Sequence, residues 1–282
     1  MSTTAKTESR ITKRFRALSE AGELGLVAYI TAGDPSLDGT EKIVLAAAEA
    51  GADVIELGVP FSDPVADGPT IQRASERALA SGTTLAGILE LVRRIRAKSD
   101  VAIVLFSYFN PMLQMGLAKF AAAAAEAGAD GVLATDLTAE ESGEYRAALA
   151  AKGLDAIFLV APTTTDARLA SIAAASSGFL YLISRNGITG AQDSLPIELP
   201  AFVRRVRRFT TLPIAVGFGI SQPTHVTVLG GIADAAVVGS ALMSEVEKAP
   251  SPEAAAAAVA ARIKSLKSAA RSGVSRRSPP AP

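Results

Sequence analysis

Eight short apolar runs punctuate the chain, at residues 26–31, 54–58, 101–107, 131–134, 156–160, 179–183, 213–217 and 235–238. Amphipathic or alanine-rich stretches at 38–50, 83–98, 117–127, 140–152, 166–175, 199–209 and 222–229 separate them, each long enough for a crossover helix. Residues 10–19 form a helical pattern before the first run, and 241–248 and 252–267 form two more after the last. Strands that are apolar on both faces and alternate strictly with helices are parallel strands covered by helices. An open doubly wound sheet alternates in the same way, but eight units without a second composition type fit closure better. The expectation is an α/β fold, a single (β/α)8 TIM barrel with an extra N-terminal helix and an extra helix after strand eight. It occupies residues 10–267, with a flexible N-terminus at 1–9 and a disordered Ser-, Arg- and Pro-rich tail at 268–282. The phrase AGAD, at 50–53 and again at 127–130, marks equivalent helix-to-strand turns with Gly51 and Gly128 as helix caps.

Composition narrows the chemistry. The 282 residues carry 28 basic and 28 acidic side chains, so no basic footprint for nucleic acid or a membrane surface is present. VRRVRRF at 203–209 looks basic, yet Val203, Val206 and Phe209 recur every third residue, as on a solvated helix with one apolar stripe. Without cysteine there are no disulfides, thiolate nucleophiles or cysteine-ligated metals. No apolar run reaches the roughly 18 residues of a membrane span, and the N-terminus lacks a signal-peptide pattern, so a soluble cytoplasmic protein is expected. The single histidine, His225, follows Pro223 and Thr224 and is expected on the surface near a helix start.

In a barrel, the loops after the C-terminal strand ends build the active site. Glu56 alternates with Val54 and Gly58 on one face of the second strand. If that face is interior, burial lifts its carboxyl above the free value of about 4.3, toward the range useful for general acid-base catalysis. Asp63 and Asp67 follow in a loop with Pro60 and Pro64; alone, each would read as a turn cap. The loop at 184–194 is long for a βα turn, and the ends of strands seven and eight read GFGIS and VGSA. Glycine amides and a helix starting at Ser240 there suit a phosphate. Glu56, Asp63 and Asp67 lack an imidazole and a DxD spacing, so no metal site is expected.

With these residues in view, the chain resembles the tryptophan synthase alpha subunit family from about residue 10 to 267. The likeness rests on YITAGDP at 29–35, ELGVPFSDPVADGPTIQ at 56–72, Tyr108 with Asn110 and Pro111, YLISRNGITGA at 181–191, GFGIS and VGSA. It implies a lyase that splits indole-3-glycerol phosphate into indole and glyceraldehyde 3-phosphate by retro-aldol cleavage, in tryptophan biosynthesis. Glu56 would be the acid-base residue and Asp67 the partner of the indole nitrogen. Tyr29, Phe106, Leu133, Leu159 and Tyr181 would surround the indole and glycerol; Gly190, Gly219, Gly239 and Ser240 would hold the phosphate; Thr189 would close a lid onto Asp67. Asp63, Tyr108, Asn110 and Asp136 would face a beta subunit, in an alpha2beta2 complex, which uses pyridoxal phosphate to join indole with serine. This chain would need no cofactor. Three positions depart from the commonest pattern: Asn186 in the lid, Thr135 at the indole pocket, and Thr138 where proline is frequent. The alternatives are a free-standing indole-releasing lyase, a subunit kept mainly to activate the beta partner, and, by fold alone, a sugar-phosphate isomerase or epimerase.

Overall fold

The computed structural model of the protein describes residues 8–183, 195–217 and 219–272. Eight parallel strands pair in chain order, and the eighth returns to the first to close a barrel. They are β1 (Gly25–Thr31), β2 (Val54–Gly58), β3 (Ala102–Ser107), β4 (Gly131–Ala134), β5 (Asp155–Val160), β6 (Leu180–Ile183), β7 (Ile214–Gly217) and β8 (Ala235–Val238). Around them lie α1 (Arg10–Ala21), α2 (Leu37–Glu49), α3 (Pro69–Ala80), α4 (Leu85–Arg96), α5 (Phe109–Met115) and α6 (Leu117–Ala127). The second half adds α7 (Gly143–Ala150), α8 (Asp166–Ala175), α9 (Leu199–Arg207), α10 (Pro223–Leu229), α11 (Ser240–Lys248) and α12 (Pro252–Ser272). Among the described residues no helix is long and apolar enough to cross a membrane.

The barrel and the extra helices at both ends agree with the sequence pattern, and three details differ. Two helices, α3 and α4, cross from β2 to β3, because the β2 loop stops at Pro69, which suits a first helical turn. The seven-residue α5 buries Met112 alone, too little to leave a periodic signal. At the ends, Ser9 is tied down: its side chain caps α1 and donates to Asp155 at 2.6 Å. α12 runs past Lys267 to Ser272, five residues into the expected tail.

Apolar side chains fill two regions, one between strands and helices and one inside the barrel. The interior is plugged at the N-terminal strand ends by α1, whose Ile11, Phe15 and Leu18 are buried; the Phe15 ring lies 5.6 Å from that of Phe179. Three aspartates that each precede a strand repeat one device at this end. Asp53, Asp130 and Asp234 accept the amides of Leu26, Ile103 and Ile214 at 2.7, 2.8 and 2.8 Å. Arg14 and Lys267 pair with Asp53, Arg10 and Arg96 with Asp130, and Arg207 with Asp234. The AGAD phrases are thus strand-start clamps. Gly128 caps α6 in the left-handed conformation; at the other copy Ala50 is the cap and Gly51 follows at φ 109°.

The solvated-helix reading of 203–209 holds. Val203 and Val206 are buried, while Arg205 and Arg208 bond Asp166. His225 is at a helix start as expected, but it is buried, because α10 turns His225, Val226 and Leu229 inward. Its Nδ1 accepts the Ser221 amide at 3.4 Å.

Candidate active site at the barrel mouth

The strand alternation that buries Val54 in the barrel interior puts Glu56 on the same face, one layer nearer the C-terminal ends. Glu56 is fully buried, and neither carboxyl oxygen has a hydrogen-bond partner among the described residues. Burial alone pushes its pKa up to about 8. Its register neighbours are Tyr29 on β1 and Val104 on β3. An acid so placed stays protonated at neutral pH.

Asp67 sits at the end of the β2 loop, just before α3, and is half-buried. Burial raises its pKa to about 6, against the opposing effect of a hydrogen bond from the Tyr108 hydroxyl. Gln72 Nε2 donates to the Asp67 carbonyl at 2.8 Å, fixing the loop to the first turn of α3. At pH 7, therefore, one carboxyl of the mouth holds its proton and the other has lost it. Two carboxyls with pKa values driven apart are the arrangement acid-base catalysis uses.

Aromatic rings roof this pair. Tyr29 meets Phe106 edge-on at 5.2 Å, and Phe106 lies 6.5 Å from Tyr181. Burial holds both tyrosine hydroxyls well above their usual pKa, so they remain neutral. Two glycines make room for them. A Cβ on Gly58 would lie 2.2 Å from the Tyr29 hydroxyl oxygen, and one on Gly217 would lie 2.6 Å from that of Tyr181. Gly58 shares the strand face of Glu56, so its place beside the acid was visible in the sequence although its service to Tyr29 was not. Leu133 is fully buried, and Phe106, Leu159 and Tyr181 pack partly exposed on the interior cluster. All five expected apolar lining residues therefore belong to the barrel interior or its mouth.

At the far side, Gly219 has φ 68°, and Gly239 is the N-cap of α11 with no side-chain cap bond, so Ser240 opens the helix. Uncapped amides at a helix start attract an anion. Thr189, Gly190 and Asn186 lie outside the described residues. Of the four residues expected at a partner surface, Asp63, Asn110 and Asp136 are exposed. The Asp136 carboxylate accepts the Phe109 amide at 2.7 Å, anchoring α5. Tyr108 departs from that expectation: it is 3% exposed, because its hydroxyl turns inward to Asp67. Thr135 is half-buried and donates to the Ser107 carbonyl at 3.4 Å, and Thr138 is exposed.

Known proteins match this chain over nearly its whole length. The family model described as tryptophan synthase alpha chain matches residues 15–271. A tryptophan synthase alpha chain of Citrifermentans bemidjiense is 54% identical over 85% of this chain and 90% of its own length. One of Burkholderia pseudomallei is 48% identical over 93% of this chain and 96% of its own. Among solved structures, a chain of Mycobacterium tuberculosis tryptophan synthase superposes with a TM-score of 0.87 at 34% identity, over 93% of this chain and 98% of that one. The tryptophan synthase subunit alpha of Legionella pneumophila gives 0.86 at 36% identity, over 93% and 98%.

Proposed function

The chain belongs to the tryptophan synthase alpha chain family, and from that membership we infer how its barrel mouth works. It is a lyase that cleaves indole-3-glycerol phosphate to indole and glyceraldehyde 3-phosphate in tryptophan biosynthesis. Breaking a carbon-carbon bond requires one fragment to accept the electron pair. A protonated indole ring is that acceptor, so the reaction needs no cofactor in this chain.

We propose that Glu56, protonated at the start, gives its proton to the indole ring carbon that bears the glycerol chain. The resulting carboxylate takes the proton of the adjacent glycerol hydroxyl. The O–H electrons form the aldehyde carbonyl as the carbon-carbon pair returns to the ring, and Glu56 ends protonated as it began. Asp67, ionised, accepts the indole N–H and stabilises the positive charge that the ring acquires. The observation that carries this reading is the pair of carboxyls raised to about 8 and about 6 by burial. Tyr29, Phe106, Leu133, Leu159 and Tyr181 make the apolar walls, while Gly219, Gly239 and Ser240, with Gly190, present amides to the phosphate. Thr189 acts in a lid that closes onto Asp67 and excludes water.

The family name implies a beta partner. We further propose an alpha2beta2 complex in the cytoplasm, with pyridoxal phosphate held by the beta subunit. Asp63, Asn110 and Asp136 would face the partner; Val65 and Leu113, 86% and 50% exposed, stand near two of them in the chain. Indole release by the full chain, with and without added beta subunit, tests the pairing. A stimulation of about tenfold or more supports it, and none favours a free-standing lyase. In the same assay Glu56→Gln should lower kcat by at least about a hundredfold, the scale of general acid-base catalysis. Retention of activity within about tenfold would refute the proton role of Glu56.

A further inference from the structure

Tyr108 stands where β3 ends and α5 begins, and its ring is buried although neither element's core needs a hydroxyl there. That hydroxyl donates its proton to Asp67 Oδ2 at 3.2 Å and accepts the Ala66 amide at 2.9 Å. The two partners are consecutive residues of the β2 loop, so one oxygen holds the loop's backbone and its carboxylate together. Phe61, from the start of the same loop, stacks on the Tyr108 ring with centroids 4.9 Å apart and planes 25° apart. The loop that carries Asp67 is therefore fastened to β3 at both ends through a single side chain.

We propose that Tyr108 is a positioning residue of the lyase reaction, its hydroxyl anchoring the Asp67 carboxylate in the orientation that receives the indole nitrogen. The proposal rests on the reading of Asp67 given above. A hydrogen bond to a carboxylate favours its ionised form, and the Ala66 amide, by polarising the hydroxyl, strengthens that donation. The bond engages Oδ2, so a nitrogen donor in the mouth meets a carboxylate whose rotation is already fixed. Among the described residues three titratable groups feel the charge of Asp67: Tyr29 from β1, Tyr108 from the end of β3 and Tyr181 from β6. Of these, Tyr108 is the one that donates to it. Burial keeps the hydroxyls of Tyr29 and Tyr181 neutral, so they add no competing charge.

The test is Tyr108→Phe in the full chain, which keeps the ring, its stack on Phe61 and its burial. Ala66 is exposed, so its amide can hydrate and the variant folds. Steady-state indole release is measured from pH 5 to pH 8 for the wild type, Tyr108→Phe and Asp67→Asn. The expected result is a kcat about tenfold to a hundredfold lower with KM within about threefold, and an acid limb of kcat/KM moved up by about half to one pH unit. A kcat within about twofold of wild type and an unmoved acid limb would show Tyr108 to be scaffold alone. Asp67→Asn separates the two readings. If it is inactive while Tyr108→Phe is silent, the role of Tyr108 is overturned and that of Asp67 stands. If it keeps activity within about tenfold, both fall.

Discussion

Glu56 is a liability to the fold that the site has reason to keep. A carboxyl with no exposure and no hydrogen-bond partner among the described residues costs stability whenever it is ionised. Its folded pKa, about 8, lies above the ordinary 4.5, so the protonated form favours the folded chain. Stability from this group is intact below about 4.5 and is lost as pH rises through about 8. Glu56→Gln should therefore be more stable than wild type by an amount that grows from pH 5 to pH 9. The difference reaches a few kcal/mol, since each tenfold change in proton affinity is worth roughly 1.4 kcal/mol. Urea unfolding at the two pH values measures it. An equal difference at both would mean that the Glu56 pKa is not raised by folding. Glu56 was readable in the sequence because its alternation with Val54 and Gly58 is local. The role of Tyr108 was not, because its partners Ala66 and Asp67 lie 42 and 41 residues away. For His225, helix position was legible and burial was not, since a seven-residue helix has too few apolar positions to mark an inner face.

At the scale of elements, the eight strands were legible because parallel strands covered on both faces must be apolar throughout. Their ends fell within a residue of the expected ones. What stayed hidden were elements whose signal is not periodicity: the start of α3 at a glycine N-cap, the short α5, and the last turns of α12. α12 owes part of its docking to an ion pair that no pattern announces. Lys267 is 4% exposed at its side chain and reaches Asp53 at 2.6 Å, where Arg14 of α1 also bonds. The first and last helices thus meet on one carboxylate at the foot of β2. Asp53→Ala leaves the Lys267 ammonium buried with its chief partner gone and Leu26 without its acceptor, and should cost about 3–5 kcal/mol of unfolding free energy. Lys267→Met, which fills the space with apolar volume and leaves Arg14 to neutralise Asp53, should cost much less. Chemical denaturation of both variants checks this. A loss below about 1 kcal/mol for Asp53→Ala would mean that the cluster does not hold α12 in place.

The whole molecule divides its labour between the two ends of the barrel. α1 and the strand-start aspartates close the N-terminal end, where fixed geometry serves stability, and the other end gathers Glu56, Asp67 and the uncapped start of α11. Closure of the sheet brings together residues as distant in sequence as Tyr29 and Gly239, whose added Cβ would lie 3.4 Å from that of Tyr29. The fold class followed from counting βα units. The separate duties of Glu56, Asp63 and Asp67 did not follow from spacing, because only the closed barrel distinguishes a buried carboxyl from a half-buried and an exposed one. In the mechanism we propose, cleavage by this barrel mouth depends on two carboxyls in opposite protonation states at neutral pH. Carbon-13 NMR titration of carboxyl-labelled chain, with Glu56→Gln and Asp67→Asn to assign the two resonances, measures those states directly. The predicted result is a Glu56 transition near pH 8 and an Asp67 transition near pH 6. A Glu56 carboxyl that titrates in the ordinary range, about 4 to 5, would contradict it.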